Sequence, residues 1–525
     1  MYKKIIYFIL PFYISLIATA SQKPNIIFFI ADDMLPVHFN CLSEGKDKYF
    51  TPNIDRLANE GVLMLEQHVV SPVCTPSRYS VLTGLYPSRA TNGGFITRTK
   101  KEGQTVVQFN TDIVKGNKTI GSRLQKAGYV TGFVGKNHVV QVHNLKKFSN
   151  YDASAQDPII KNQLIDNHTK ICNSIKEVGF DFVDRIYHNN PPYIGLKEVG
   201  VHNMDWLAEG GIEFINQNKN NPFFLYFATT IPHGPTEEKR SWNANPLLSA
   251  IGYLDNPPDV LPSRSSIPQR LKKAGYPTDD SRCNLLWLDD VLGALVKKLE
   301  KENILDNTLI FFFSDHGQRA KGTLYQGGVH DPSIVWKVGG LPAGKSSKAL
   351  VSGIDFTPTI LDIAGAEYNI EDFDGKSFLP ILLGKKEQER ILYFELGYAR
   401  AIRKGSWKYI AIRYPDFIKN MSLDERKNIL DAYNNERRRK YLNIVTEDPS
   451  APFSHFNALP GGGDAERVST GKKPSYYAQD QLYNLDSDPN ELNNLFDDPK
   501  YKEKSVEMKK ELQSIIDTLP GHLSL

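Results

Sequence analysis

Residues 25–33 read Asn25-Ile26-Ile27-Phe28-Phe29-Ile30-Ala31-Asp32-Asp33. An apolar run rich in β-branched and aromatic side chains, closed by two carboxylates, predicts a buried strand with polar chemistry at its carboxyl end. Three further runs repeat the design. Tyr129-Val130-Thr131-Gly132-Phe133-Val134 leads into Gly135-Lys136-Asn137-His138. Residues 223–228 lead to Pro232-His233-Gly234-Pro235, and residues 308–313 lead to Ser314-Asp315-His316-Gly317. Helical patterns alternate with the strands. One covers 52–58, with Thr51 as N-cap, Pro52 in the first turn and Gly61 past the end. Another begins near Thr119 and stops at Gly128, and a third covers about 281–300. This alternation predicts an α/β fold, a largely parallel sheet with helices on both faces. Ligands of such sheets bind beyond the carboxyl ends of the strands, so four polar endings predict one site at one edge.

After about residue 395 the pattern changes. Residues 398–412 read as strands in a hairpin, and the charged stretch Glu436-Arg437-Arg438-Arg439-Lys440 follows. Pro460-Gly461-Gly462-Gly463 reads as a flexible loop, and residues 482–491 precede a final amphipathic helix. The expected organisation is a main domain over 21–395 and a smaller C-terminal α+β domain over 396–525.

The 525-residue chain is 40% hydrophobic and 23% charged, enough to bury a large core. Its net charge of +3 gives no electrostatic reason to expect nucleic-acid binding. Lys3 and Lys4 precede an apolar run over 5–17, and Ala18-Thr19-Ala20 supplies a small-x-small cleavage pattern. Residues 1–20 therefore read as a secretory signal peptide, which implies a periplasmic or secreted protein. A membrane anchor is the rival reading, but the run is short for a span and Pro11 interrupts it. No later stretch is apolar enough to cross a bilayer. The four cysteines, Cys41, Cys74, Cys172 and Cys283, match no zinc spacing. Buried free thiols are the plainer reading of Cys41, Cys172 and Cys283.

Cys74 stands apart. It lies in Val73-Cys74-Thr75-Pro76-Ser77-Arg78-Tyr79-Ser80-Val81-Leu82-Thr83-Gly84. The chain holds its own control: Pro-Ser-Arg recurs at 87–89 and 262–264, but with Leu85 and Val260 where the cysteine would stand. The full pattern, Cys-x-Pro-Ser-Arg followed by Leu-Thr-Gly, resembles the signature of the type I sulfatases. In that family the cysteine is oxidised to formylglycine by a maturation enzyme, and the aldehyde hydrates to a geminal diol. Residues 128–138 resemble the family's second signature, with Asn137 where Trp is usual. The stretches 321–328, 355–359, 374–377 and 482–491 also look like sulfatase segments. The resemblance implies an alkaline-phosphatase-like fold.

Several residues then acquire candidate roles. Neighbouring carboxylates repel unless a cation neutralises them, and calcium favours oxygen donors. An Asp pair alone is as readily a turn or a cap. Asp32 and Asp33 with Asp315 and His316 from another strand end form a candidate metal site, to which the resemblance adds residue 74. Imidazole suits softer cations than calcium, so His316 is the least typical member. Residue 74 is expected at a helix entrance, where free N–H groups and the dipole favour an anion. Arg78 lies four residues on and shares that face. Lys136 and His138, two apart on extended backbone, would point the same way. By resemblance, Arg78 steadies the formylglycine, Lys136 and Lys321 contact sulfate, and His138 positions or deprotonates the diol. His233, in a Pro-His-x-Pro element, is the expected general acid. Gln326 and His330 depart from the usual Glu and Arg, residues that face substrate or brace their loop.

The sequence reading is thus a calcium-dependent sulfatase acting on a sulfated oligo- or polysaccharide, with the algal polymer ulvan as the preferred substrate. Two alternatives stay open: a phosphodiester or phosphonate hydrolase with the same formylglycine, and a non-catalytic binder of sulfated glycans. The basic segments 98–101 and 437–440 could hold a polyanion, though solvated surface explains each more simply.

Overall fold

The strand at 25–33 forms as expected and becomes the centre of the molecule. The computed structural model describes residues 23–525 apart from 318, 386–388, 440–441, 463–465 and 467–471. The expected signal peptide and parts of the Glu436–Lys440 and Pro460–Gly463 stretches lie outside the described residues. The main sheet has eight strands: β1 (Asn25–Asp32), β2 (Val62–Met64), β3 (Val130–Lys136), β4 (Phe182–Tyr187), β5 (Phe223–Pro232), β6 (Thr308–Ser314), β7 (Ser333–Trp336) and β8 (Lys345–Ser347). Their spatial order is β8-β2-β7-β6-β1-β5-β3-β4. The five strands from β6 to β4 are mutually parallel, and β7 runs antiparallel to both its neighbours.

Register explains why β1 shows no hydrophobic alternation. Phe28 lies opposite Tyr226 and Phe311, and Phe29 lies opposite Phe227 and Phe312. Ile26, Phe28 and Ile30 enter one core, and Ile27 and Phe29 enter the other, all fully buried. A strand covered on both faces has no polar side to display. Each buried ring contributes about 1.5–3 kcal/mol. That lets the sheet carry charges at its edge, although desolvating each costs several kcal/mol.

Helix α1 (Pro52–Glu60) corrects one local expectation. Thr51 stands at the N-cap position, but its side chain makes no capping bond. The carboxylate of Asp289, from the helix Asp280–Lys301, accepts from the N–H groups of Asn53 at 3.1 Å and Ile54 at 2.8 Å. A cap that arrives from 235 residues away leaves no local signature.

The chain after residue 390 forms a smaller antiparallel sheet, β9 (Ile391–Leu396), β10 (Ala399–Lys404), β11 (Trp407–Ile412) and β12 (Asp480–Asn484), in that order. The expected division after residue 395 runs through β9. One face packs on the final helix through Met508, Leu512 and Ile516. The other face shares a core with Val69, Val73, Tyr325 and Val329. The small sheet therefore buttresses the segment that leads into residue 74.

Candidate active site

Helix α2 (Cys74–Thr83) is buried over its whole length and begins at Cys74 itself. Val73 precedes it in extended conformation without a side-chain cap, so the positive end of the helix is directed at residue 74. The carboxyl ends of β1, β3, β5 and β6 meet here. Gly135 makes this possible for β3. It has φ 97°, a Cβ on it would collide with the carbonyl of Ala228, and it forms a bulge against β4 just before Lys136.

The Cys74 Sγ has three polar neighbours: His316 Nε2 at 3.4 Å, Lys136 Nζ at 3.8 Å and Lys321 Nζ at 4.0 Å. Around them the carboxylates and cations interleave. Lys136 donates to both oxygens of Asp32, at 2.9 and 2.7 Å, and Lys321 to both oxygens of Asp33, at 2.7 Å each. Arg78, fully buried, bridges Asp32 and Asp315 at 3.0 Å each. Asp33 sits in the left-handed region at φ 62°, and its N–H donates to Asp315 Oδ1 at 3.0 Å. Such backbone strain in a non-glycine residue persists only where its surroundings enforce it.

Burial works against every charge in this cluster, and the partners decide the outcome. Burial lifts Asp32, with Lys136 pulling against it. For Asp33, Lys321 and then His316 overcome burial and hold the carboxylate ionised. For Asp315 burial is overcome by His316 and Arg78, which hold it well below the usual range. His316 is raised despite burial by Asp315 and Asp33. His138 moves the other way: burial and then Lys136 keep it neutral. Its Nδ1 is buried without a hydrogen-bond partner among the described residues.

The residues fit a divalent cation. Ligand atoms of Asp33, Cys74, Asp315 and His316, all buried, lie within 4.8 Å of one another. His316 Nδ1 faces the Gly317 carbonyl at 3.0 Å, which assigns the proton to Nδ1 and leaves Nε2 to face the cluster. Asp32, expected as a further ligand, is not among these four; its carboxylate adjoins them and is held by Lys136 and Arg78.

Cys74, Lys321, His138 and His233 open onto one cavity of about 240 Å³. His233 Nε2 lies 2.9 Å from Asn190 Nδ2 and 3.5 Å from Asp33 Oδ2. His138 reaches the cavity by a different route from the one expected. Its φ of 49° is left-handed, so the Lys-x-His pair is not on extended backbone. Asn137 closes that turn: its side chain accepts from the Val140 N–H at 2.8 Å and donates to the Val140 carbonyl at 3.0 Å. The substitution for the usual Trp is thus a hydrogen-bonded turn. Gln326 and His330 do not line this cavity. Gln326 Nε2 contacts His68 at 3.4 Å and His330 Nε2 contacts the Leu65 carbonyl at 2.7 Å, so both brace their loop.

Residues 24–366 match the family model described as Sulfatase. The chain belongs to the sulfatase family. Residues 314–448 of this sulfatase also match the model described as N-sulphoglucosamine sulphohydrolase, C-terminal. It is 28% identical over 419 residues to the N-acetylgalactosamine-6-sulfatase of Canis lupus familiaris, covering 74% of this chain and 72% of that protein. It is 25% identical over 505 residues to an ulvan-active sulfatase of Formosa agariphila, covering 94% and 80%. A solved structure from work on the metabolism of multiple glycosaminoglycans by Bacteroides thetaiotaomicron shares the fold at TM-score 0.62 and 21% identity, covering 95% of this chain and all of the other. The sulfatase is a sulfuric ester hydrolase with an alkaline-phosphatase-like α/β fold, and members of its family generally use formylglycine and a divalent metal.

Sequence reasoning missed four cavity residues: Phe109, Asn189, Asn190 and Tyr193. Three of these follow β4, a fifth strand whose carboxyl end meets the same edge. Its Phe182-Val183-Asp184-Arg185-Ile186-Tyr187 carries two charges and shows no apolar run. Its ending, His188-Asn189-Asn190, is the signal that the rule applied to the other four strands would have picked up. Phe109, in irregular structure, stacks on His138 at 5.8 Å and had no such signal.

Proposed function

We propose that this sulfatase hydrolyses sulfate esters on a carbohydrate polyanion of marine algal type, with ulvan as the substrate of choice, after export to the periplasm or beyond. Three polar groups converging on Cys74 Sγ within 4.0 Å carry the reading, because a merely structural buried thiol needs none of them. The likeness to an ulvan-active sulfatase over 94% of the chain supports the substrate. A maturation enzyme would convert Cys74, and calcium is the proposed ion at Asp33, Asp315, His316 and residue 74, since three of these four donors would be oxygens once residue 74 is converted.

When in place, formylglycine supplies a hydrated aldehyde as a self-regenerating nucleophile, and the cation supplies Lewis acidity toward a sulfuryl oxygen. The chain's own groups do the rest. Lys136 and Lys321 point their ammonium groups at residue 74, where they stabilise charge developing on the sulfuryl oxygens. Arg78 fixes Asp32 and Asp315 and compensates their charge. His138, neutral and with Nδ1 unpaired, accepts a proton from the residue-74 side. His233 gives a proton to the departing sugar oxygen from Nε2, the atom that Asn190 now engages and that lies 3.5 Å from Asp33. Positioned acid–base groups of this kind supply about 10²–10⁴-fold each.

Competing rate measurements test the reading. Matured enzyme, stripped of metal and reloaded with calcium, is given a sulfated algal oligosaccharide, a phosphate diester and a phosphonate monoester. The sulfate ester is expected to dominate in kcat/KM by about 10²-fold or more. Preference for the phosphorus ester would move the phosphodiester or phosphonate hydrolase forward, and binding of the oligosaccharide without turnover would favour the non-catalytic glycan binder.

A further inference from the structure

A second cavity adjoins the one over Cys74. Asn189 and Tyr193 line both, and the wall of the second, of about 250 Å³, also holds Lys146, Lys147, Ile171 and Ile186. Each is smaller than the ~300–1,000 Å³ that encloses a drug-sized ligand, so each suits one sugar unit. Tyr193 is 74% exposed on a short turn, Pro191–Ile194, between the two spaces. A rigid aromatic with a polar tip, left that open, is well suited to a ligand that stacks on its ring and bonds its hydroxyl.

The lysine loop is held in place before any ligand arrives. The Lys146 N–H donates to Asn167 Oδ1 at 2.9 Å, and Asn167 Nδ2 donates back to the Lys146 carbonyl at 2.9 Å. Gln163 Nε2 donates to the carbonyls of Lys146 and Lys147 at 3.2 Å each. These bonds tie the backbone to the helix Pro158–Lys176 without using the ammonium groups. Lys147 makes no ion pair among the described residues. Lys146 reaches Asp166 at 3.4 Å, a carboxylate already engaged by Lys170 at 2.8 Å. Uncompensated positive charge thus stands on a preorganised rim above an apolar floor.

We propose that the second cavity is a binding subsite for an anionic sugar unit, adjoining the unit whose sulfate is removed, with Tyr193 as the shared wall and Lys146 and Lys147 as the charge readers. The proposal rests on reading the Cys74 cavity as the place of sulfate removal. The anion is a carboxylate or a further sulfate, and the enzyme consequently works on oligomers better than on single sugars.

The test uses the double variant Lys146→Ala/Lys147→Ala, which keeps every backbone bond of the loop. Calorimetry on the unconverted thiol form, with a sulfated tetrasaccharide containing uronic acid, reads binding apart from turnover. Affinity is expected to fall roughly tenfold, the loss of two exposed charge contacts, and the difference should shrink at high salt. Turnover of 4-nitrophenyl sulfate by the matured variant should be unchanged. Carboxyl-reduced and partly desulfated tetrasaccharides tell which anion is read. Equal affinity in wild type and variant, or an equal loss on 4-nitrophenyl sulfate, overturns the subsite. Absence of all sulfate-ester turnover with the affinity difference intact would instead overturn the proposed function alone.

Discussion

The carboxyl edge of the large sheet and the seam between the two sheets each bury a lysine completely, Lys136 in the first and Lys408 in the second. Both are paired: Lys136 with Asp32 at 2.7 Å, Lys408 with Glu491 at 2.9 Å. Around Lys408 the partners close on one another, with Gln326 Oε1 at 3.3 Å and Arg403 bonded to both Glu66 and His68. Burial brings Lys408 down to about 8 against the pull of Glu491. Around Lys136 the circle is open. Its ammonium also faces Cys74 Sγ at 3.8 Å, and that thiol lines a cavity. A buried ion cluster is therefore not in itself a site. Glu491 and Gln326 also border a cavity, so what separates the two is the nucleophile precursor among the charges.

Breaking the closed cluster should have the largest effect on stability. Lys408→Met leaves Glu491 buried without its main partner and is expected to cost about 3–5 kcal/mol, read as a lower urea midpoint, with kcat of the folded enzyme unchanged. The compensating double variant Lys408→Met/Glu491→Leu should recover most of that loss. Breaking the open cluster should add a kinetic effect that the closed one lacks. Lys136→Ala is expected to lower kcat about 10²–10³-fold in steady-state assays, the cost of one electrostatic donor to the transition state. Equal stability losses with no kinetic contrast would erase the distinction drawn between the clusters.

Two smaller effects sharpen it. Asp289→Ala removes the remote cap of α1 and should cost about 0.5–2 kcal/mol by urea unfolding, whereas Thr51→Ala should cost less because Thr51 makes no capping bond. The last concerns pH. Burial pushes His202 and His455 down to about 3, and His38 to about 4. Unfolded, each takes up a proton near 6.5; folded, each stays neutral until pH 3–4. The unfolded state thus binds more protons below pH 6.5, and stability falls as pH drops through that window, on the order of 1 kcal/mol per histidine per pH unit. Melting temperatures at pH 7.5, 6.0 and 5.0 check the sign.

Much of this was legible in the sequence where function and fold use the same residues. The four polar strand endings placed Asp32, Lys136, His233 and Asp315 at one edge, because an apolar strand that stops in charge has few other reasons to do so. The small antiparallel sheet was visible as a change of pattern after residue 395. The three cysteines other than Cys74 are free, with Cys172 and Cys283 buried and Cys41 half-buried. Within the basic segments, Arg98 pairs with Glu102 and Arg438 with Glu447. What the sequence hid arises from long-range assembly: the Asp289 cap, the left-handed turn at His138, the charged strand Phe182–Tyr187, and Phe109 over the site.

The central claim is that Cys74 is the precursor of the nucleophile. The most direct measurement is the mass of the proteolytic peptide containing residue 74, taken on protein from a host that matures sulfatases and on the same preparation assayed for turnover. We expect loss of the sulfur in favour of an aldehyde, with activity proportional to the converted fraction. A fully active preparation in which residue 74 is an intact thiol throughout would contradict the account.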